Sequence, residues 1–366
     1  MKTLYDAVVL GAGIAGLSVA RELAKLKRRV LVLEREEMGG KTSRAAAGIL
    51  DPYTEAVEET PFYQLGLKAL DYYPSFLDEI QELSSVDVEY QKLGILYAAL
   101  SLEDEDILKS RFEWQKSRGL PVEYCSAGEA RKREPFLSKK TRSGIFYPEI
   151  AKLNASKLVD ALLKATRLGG VEIRQAAGNY SIRIKGGKIQ GIEGPQGLIE
   201  TPVVVLAAGA WAGLERELEL DLKVRPVRGQ ILILRADTDF YPKHILHTLR
   251  WAYMIPWPNR KLLVGSTLES AGFDARVTPE GKKDILERAS ELVEGITKLP
   301  LETSWAGLRP YSEGGPMAGP TRIEGLYLAT GYYRSGILIS PFVGKLLADE
   351  IAGGESSPLL EFFCAK

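Results

Sequence analysis

Asp6-Ala7-Val8-Val9-Leu10-Gly11-Ala12-Gly13-Ile14-Ala15-Gly16 is the stretch from which the rest of the chain is read. Residues of strand character run straight into three glycines spaced G-x-G-x-x-G. A helical pattern follows from Leu17 to about Lys27, and a second apolar run, Val30 to Leu33, ends in Glu34. This is a βαβ unit whose acid stands eighteen positions after the third glycine, near the spacing of about 20 expected of a dinucleotide fingerprint. Gly11 permits the tight turn, Gly13 lets backbone approach a pyrophosphate, and Gly16 lets helix pack close to strand. The helix N-terminus offers unpaired N–H groups and a positive dipole end to phosphates. Glu34 can accept hydrogen bonds from a ribose diol and repels a 2′-phosphate. That points to FAD or NAD rather than NADP, although Arg35 weakens the exclusion slightly.

The bulk composition narrows the function classes. A chain of 366 residues with 45% hydrophobic and 26% charged residues is an ordinary globular protein with room for two domains. Lys+Arg and Asp+Glu balance at 48 each, so there is no electrostatic footprint for nucleic acid or an anionic membrane. Cys125 and Cys364 stand alone, and His244 and His247 are the only histidines. Neither a disulfide framework nor a metal site is expected. No signal peptide precedes the first strand and no apolar run is long enough to span a bilayer. A cytoplasmic enzyme is the expectation.

Along the chain, Met38 to Ile49 is a run of small residues. Either a flat ligand lies against its backbone or a tight helix packs there, and composition leaves both open. Thr60-Pro61 reads as an N-cap followed by proline at the first helical position, opening a helix from Phe62 to Leu83 bent at Pro74. Val88 to Leu100 is strand material broken at Gly94. Ser101, Ser126 and Asn154 cap further helices. A hairpin is expected at Gly186-Gly187, and Pro202 to Gly209 reads as a buried parallel strand. Gln230–Leu234, Ala252–Pro256 and Lys261–Ser266 have antiparallel character. Thr278-Pro279 opens a helix predicted to reach about Lys298. Strands over 302–309 and 325–330 and a helix from Gly336 to Ala352 close the chain. The expected fold class is α/β: a Rossmann-like parallel-sheet domain from 1–85, 145–215 and 306–366, and an antiparallel-sheet domain from 86–144 and 216–305.

The C-terminal part reads Trp305-Ala306-Gly307-Leu308-Arg309-Pro310, Gly315-Pro316, then Leu326 to Thr330 followed by Gly331-Tyr332-Tyr333-Arg334-Ser335-Gly336. With Gly11 to Gly16, Glu34, Ala45 to Gly48, Pro226 to Gln230 and Leu263 to Thr267, the chain resembles the FAD-dependent D-amino-acid oxidase family over nearly its whole length. Within it, the similarity runs to the bacterial glycine oxidases of thiamine thiazole synthesis. The resemblance implies a noncovalent FAD cofactor, since no cysteine lies between Pro310 and Gly319 and no histidine near Gly39 to Gly48, where related enzymes attach flavin. It places the adenine half by Gly11, Gly13, Ile14, Ala15, Gly16, Glu34 and Arg35. Thr42, Ser43, Ala47, Gly48 and Ile49 follow the pyrophosphate and flavin, and Asn179 meets the adenine. Gly331, Tyr332, Tyr333, Arg334, Ser335, Gly336, Ile337 and Leu338 form the loop under the pyrimidine end. The residues themselves support that loop, because a helix starting near Gly336 would aim its N-terminus at the flavin and stabilise negative charge there.

The same resemblance makes Arg309 and Tyr253 a clamp for the substrate carboxylate, with Arg334 nearby. A guanidinium grips a carboxylate bidentately and stays charged when desolvated. Arg334 could instead pair with an acid across the domain interface. The implied reaction is oxidative deamination of glycine, sarcosine or a small D-amino acid, with hydride passing from Cα to flavin N5, no side chain as acid or base, and oxygen as acceptor. Glyoxylate, ammonia and hydrogen peroxide would result, and the family suggests a homo-oligomer (a tetramer). The alternative is an amino-acid or secondary-amine dehydrogenase passing electrons to a quinone or carrier. Three departures bear on the pocket: Tyr332-Tyr333 stands for the usual His-Phe, Ile49 for a frequent methionine, and Trp251 for a histidine-like position.

Overall fold

The strand Ala7–Leu10 forms because four apolar residues precede a glycine turn, and it is buried from end to end save Leu10. It becomes the centre of a six-stranded sheet ordered Met317–Pro320, Leu326–Thr330, Val204–Leu206, Ala7–Leu10, Val30–Leu33, Glu172–Arg174. All neighbours pair in parallel except Met317–Pro320, which lies antiparallel at the edge. The helices Ile14–Lys25, Pro61–Ser84, Ala155–Leu168 and Gly336–Ile351 share one apolar cluster with one face of this sheet. The computed structural model describes residues 5–36, 40–195, 197–215, 218–236, 240–250 and 252–364; Met38, Gly39 and Trp251, singled out above, lie outside the described residues.

A second sheet has eight strands, in the order Leu301–Ser312, Val224–Arg235, Lys261–Gly265, Tyr253–Trp257, Ile245–Thr248, Ile95–Ala99, Ser143–Tyr147, Glu123–Ser126. Every pairing is antiparallel except Ile245–Thr248 on Ile95–Ala99. That parallel joint stitches two distant stretches of chain into one surface. The strands Ser143–Tyr147 and Leu301–Ser312 run across the expected boundaries at 145 and 306, because their ladders continue through both points. Two small three-stranded sheets complete the β structure. One of them joins Ile49–Leu50, Ala151–Lys152 and Gln91–Lys92.

Local signals place most element ends correctly. Thr60 accepts from the Tyr63 N–H and opens Pro61–Ser84, which continues through Pro74. Ser101, Ser126 and Asn154 cap their helices through side-chain oxygens. One helix is shorter than predicted. Pro279–Leu292 stops before Lys298 because Val293 leaves it to bridge Leu137, and Gly295 then takes a left-handed conformation before a single 3-10 turn.

Candidate functional site

A cavity of about 840 Å³ runs between the two large sheets, large enough for an extended cofactor and a small ligand beside it. At one end lies the first glycine turn. Gly11 has φ +111, and a Cβ on Gly16 would overlap the Gly11 carbonyl oxygen, so the helix Ile14–Lys25 rests directly on the turn. Glu34 reaches back into the turn. Its carboxylate accepts from the Ala12 N–H at 2.8 Å and the Glu36 N–H at 3.1 Å. The Ser43 hydroxyl accepts from the Ile14 N–H at 3.2 Å. Within the small-residue run, Lys41–Arg44 is a short helix, and Ala45 to Ile49 line the cavity.

Every site residue expected from the sequence lines this cavity except Gly16, which supports it from behind. Gly11, Gly13, Ile14, Ala15, Glu34, Arg35 and Asn179 gather at one end. Gly331 to Leu338 border the other, where the helix Gly336–Ile351 begins with no side-chain cap on its first N–H groups. The glycine turn, the start of the helix Ile14–Lys25 and an acid fixed by two backbone amides together match the needs of a diphosphate and a ribose.

Arg309 comes from the long strand Leu301–Ser312. Its guanidinium donates to the Thr267 carbonyl at 3.1 Å and to the Ser266 hydroxyl at 2.8 Å. Among the described residues no carboxylate pairs with it. Burial draws its pKa below the usual arginine value, with Tyr253 opposing. Room for it comes from Gly229, where any Cβ would collide with the guanidinium. Tyr253 stands beside it over Gly265, and burial pushes its hydroxyl pKa up against the pull of Arg309. A phenol held neutral in this way is a hydrogen-bond donor. Arg334 also faces the cavity, but Glu55 holds it bidentately at 2.6 and 2.9 Å.

Glu55 and His247 are among the lining residues that the sequence did not assign to the site. Glu55 sits in the irregular segment between Leu50 and the helix starting at Pro61, fastened by Arg111 to the Thr54 carbonyl at 2.7 Å and by Gln115 to the Tyr53 carbonyl at 2.7 Å. His247 pairs in register with Tyr97 on one side and Tyr253 on the other. The three rings stack, with centroid separations of 4.3 and 5.8 Å. The His247 Nδ1 donates to the Thr248 carbonyl at 2.7 Å, which fixes the neutral tautomer. No spacing motif announces either residue; each is brought in by pairing across the fold.

Burial lowers the His247 pKa to about 4, below its unfolded value of about 6.5. The unfolded chain therefore binds a proton that the folded one refuses, and stability falls as pH drops from about 6.5 to about 4. We expect denaturation midpoints to decline across that window, by at most about 3 kcal/mol from this group. Replacing His247 with Phe should flatten the decline in urea titrations; an unchanged slope would remove His247 as its source.

The profile of the DAO family of FAD dependent oxidoreductases matches residues 6–350. The chain belongs to that family. This FAD-dependent oxidoreductase is 33% identical to the glycine oxidase of Geobacillus kaustophilus over 363 residues, covering 96% of the chain and 94% of that protein. The crystal structure of glycine oxidase from Geobacillus kaustophilus superimposes with a TM-score of 0.94 at 31% identity, over 99% of this chain and 98% of the other. The bifunctional protein ThiO/ThiG of Trichormus variabilis is 31% identical over 98% of the chain, which spans 54% of that longer protein. The cofactor of this oxidoreductase is FAD, and the cavity fits it. No described helix is long and apolar enough to cross a membrane.

Proposed function

We propose that this flavoenzyme oxidises glycine, and with it sarcosine or small D-amino acids, to the 2-oxo acid, ammonia (methylamine from sarcosine) and hydrogen peroxide. The observation that carries this reading is Arg309, a partly buried guanidinium facing the cavity without a carboxylate partner among the described residues, beside a tyrosine whose neutral hydroxyl can donate a hydrogen bond. Such a pair is complementary to one carboxylate. The names of the glycine oxidase relatives support the substrate class, and the ThiO/ThiG relative supports a role in supplying glycine imine for thiamine thiazole synthesis.

Bound FAD, which the glycine turn, Glu34 and the segment Thr42 to Ile49 would hold, would supply the two-electron acceptor for the Cα hydrogen, with oxygen as the final acceptor. The chain's own work is orientation. Arg309 and Tyr253 fix the carboxylate, which leaves Cα and the amine pointing away from the strand Leu301–Ser312. The stacked ring of His247 and the Glu55–Arg334 pair wall the side-chain space, which limits the substrate to small groups. Residues 51–58 of the irregular segment line the cavity wall. The N–H groups at Gly336 favour negative charge on the cofactor.

An oxygen-electrode assay over glycine, sarcosine, D-alanine and D-proline, repeated with a dye acceptor, tests the reading. Oxygen uptake with at least one of these is expected. Turnover with the dye alone would favour a dehydrogenase passing electrons to a quinone or carrier. The proposal extends to noncovalent FAD, a cytoplasmic location and a homo-oligomer. Acid precipitation is expected to leave a white pellet and a yellow supernatant; a yellow pellet would mean a covalent link.

A further inference from the structure

The run Pro226 to Gln230 carries part of the family likeness, yet only Gly229 of it lines the cavity. Both partners of the Arg309 fork, the Ser266 hydroxyl and the Thr267 carbonyl, head the segment that runs on to Thr278. The sheet ladder on that side ends at the pair Ile231 and Gly265, and from there Gln230 takes over. Its backbone N–H donates to the Thr267 hydroxyl at 2.9 Å, and its carbonyl accepts from the Thr267 N–H at 3.4 Å. Its side-chain amide is fully buried, and both polar atoms are bonded. Nε2 donates to Glu269 at 2.8 Å and to the Thr278 hydroxyl at 3.2 Å, while Oε1 accepts from the Thr278 N–H at 2.8 Å. Thr278 caps the helix Pro279–Leu292, so both ends of the segment hang on one residue. Arg228 fastens the middle. Its backbone exchanges two bonds with Glu269, at 2.9 and 3.0 Å, and its guanidinium takes the Glu269 carboxylate at 2.5 Å. Burial works to raise the Glu269 pKa, but the bonds from Arg228, Thr267 and Gln230 outweigh it and lower it. A buried network satisfied in this way fixes one geometry, because a shift of the segment would leave polar groups unpaired.

We propose that Gln230 is a positioning residue for the substrate carboxylate: through Thr267 and Glu269 it holds the carbonyl on which the Arg309 fork rests, and so sets the direction from which the guanidinium meets a ligand. Gln230 itself touches no ligand. A fork delivers its two-point contact only when its orientation is fixed, and a misplacement of about 1 Å at such a site costs up to about a hundredfold. Such a role presupposes Arg309 as the carboxylate clamp of the proposed function.

The test compares FAD-loaded wild type with Gln230→Met, Thr267→Val, Thr267→Ser and Arg309→Ala. Glycolate, a carboxylate without an amine, is titrated into each and followed by the visible flavin spectrum, beside flavin content, the thermal melt, and kcat and KM for glycine. Gln230→Met keeps the length of the side chain and loses its three bonds. Thr267→Val loses the hydroxyl and keeps the carbonyl, and Thr267→Ser restores the hydroxyl. Gln230→Met and Thr267→Val are expected to raise the glycolate dissociation constant and the glycine KM by at least about tenfold, with kcat within about threefold of wild type and flavin retained. Thr267→Ser should stay within about threefold on every measure. A merely structural role would lower the melt and leave glycolate affinity alone. Should Gln230→Met not hold FAD, Thr267→Val decides. No glycolate response in wild type, or an equal one in wild type and Arg309→Ala, ends the clamp reading and the role of Gln230 together. Binding lost in Arg309→Ala but within about twofold of wild type in the other variants overturns the role of Gln230 alone.

Discussion

Replacing Arg309 with Ala is expected to raise the KM for glycine by about two to three orders of magnitude while the protein remains yellow. The guanidinium is held by two neutral partners, the Thr267 carbonyl and the Ser266 hydroxyl, at 3.1 and 2.8 Å. Neither neutralises it, and the proposed function assigns the missing charge to a ligand's carboxylate. Its removal deletes a charge-assisted, two-point contact worth about 3–4 kcal/mol in a desolvated site. Arg309→Lys should recover little, because an ammonium cannot present a planar fork. Steady-state kinetics beside the visible flavin spectrum check this. A KM within about threefold of wild type would take Arg309 out of the substrate site.

Gly16→Ala should give protein with little or no bound FAD, although residue 16 does not face the cavity. The new methyl would overlap the Gly11 carbonyl oxygen and press on Val9 and Ala207 at 3.1 and 3.2 Å. The helix Ile14–Lys25 would have to lift from the sheet, and its N–H groups would leave the diphosphate. Overpacking of this kind costs about 1–3 kcal/mol of stability. A similar loss at the cofactor means roughly a hundredfold weaker FAD binding. Flavin content after gel filtration and a thermal melt check both parts. A fully yellow variant with the wild-type melt would show that the turn has slack.

The positions of Gly11, Gly13 and Glu34 were legible because their chemistry is local: a strand, a turn, a helix and an acid within a short stretch. The caps at Thr60, Ser101 and Asn154 were legible for the same reason. Arg309 was readable only through the resemblance of its neighbours, since an isolated arginine is usually an ordinary ion-pair member. Arg334 lines the cavity as expected, yet the acid across from it was invisible, because Glu55 lies 279 positions away in an irregular segment. His247 was missed on the same ground. Nothing beside it in the sequence marks it, and it enters the cavity wall through its cross-strand partners, Tyr97 and Tyr253. The helix predicted to reach Lys298 failed for a different reason: Val293 bridges Leu137 and Gly295 turns left-handed, and residues 293–297 are mostly weak helix formers.

The parallel joint between Ile95–Ala99 and Ile245–Thr248 bears on how the molecule assembles. Closing it brings together segments far apart in sequence, which is entropically demanding and slow. The bond between the glycine turn and its acid, by contrast, spans only 22 positions. The joint that carries His247 into the cavity wall therefore costs more loop-closure entropy than the contact that shapes the turn.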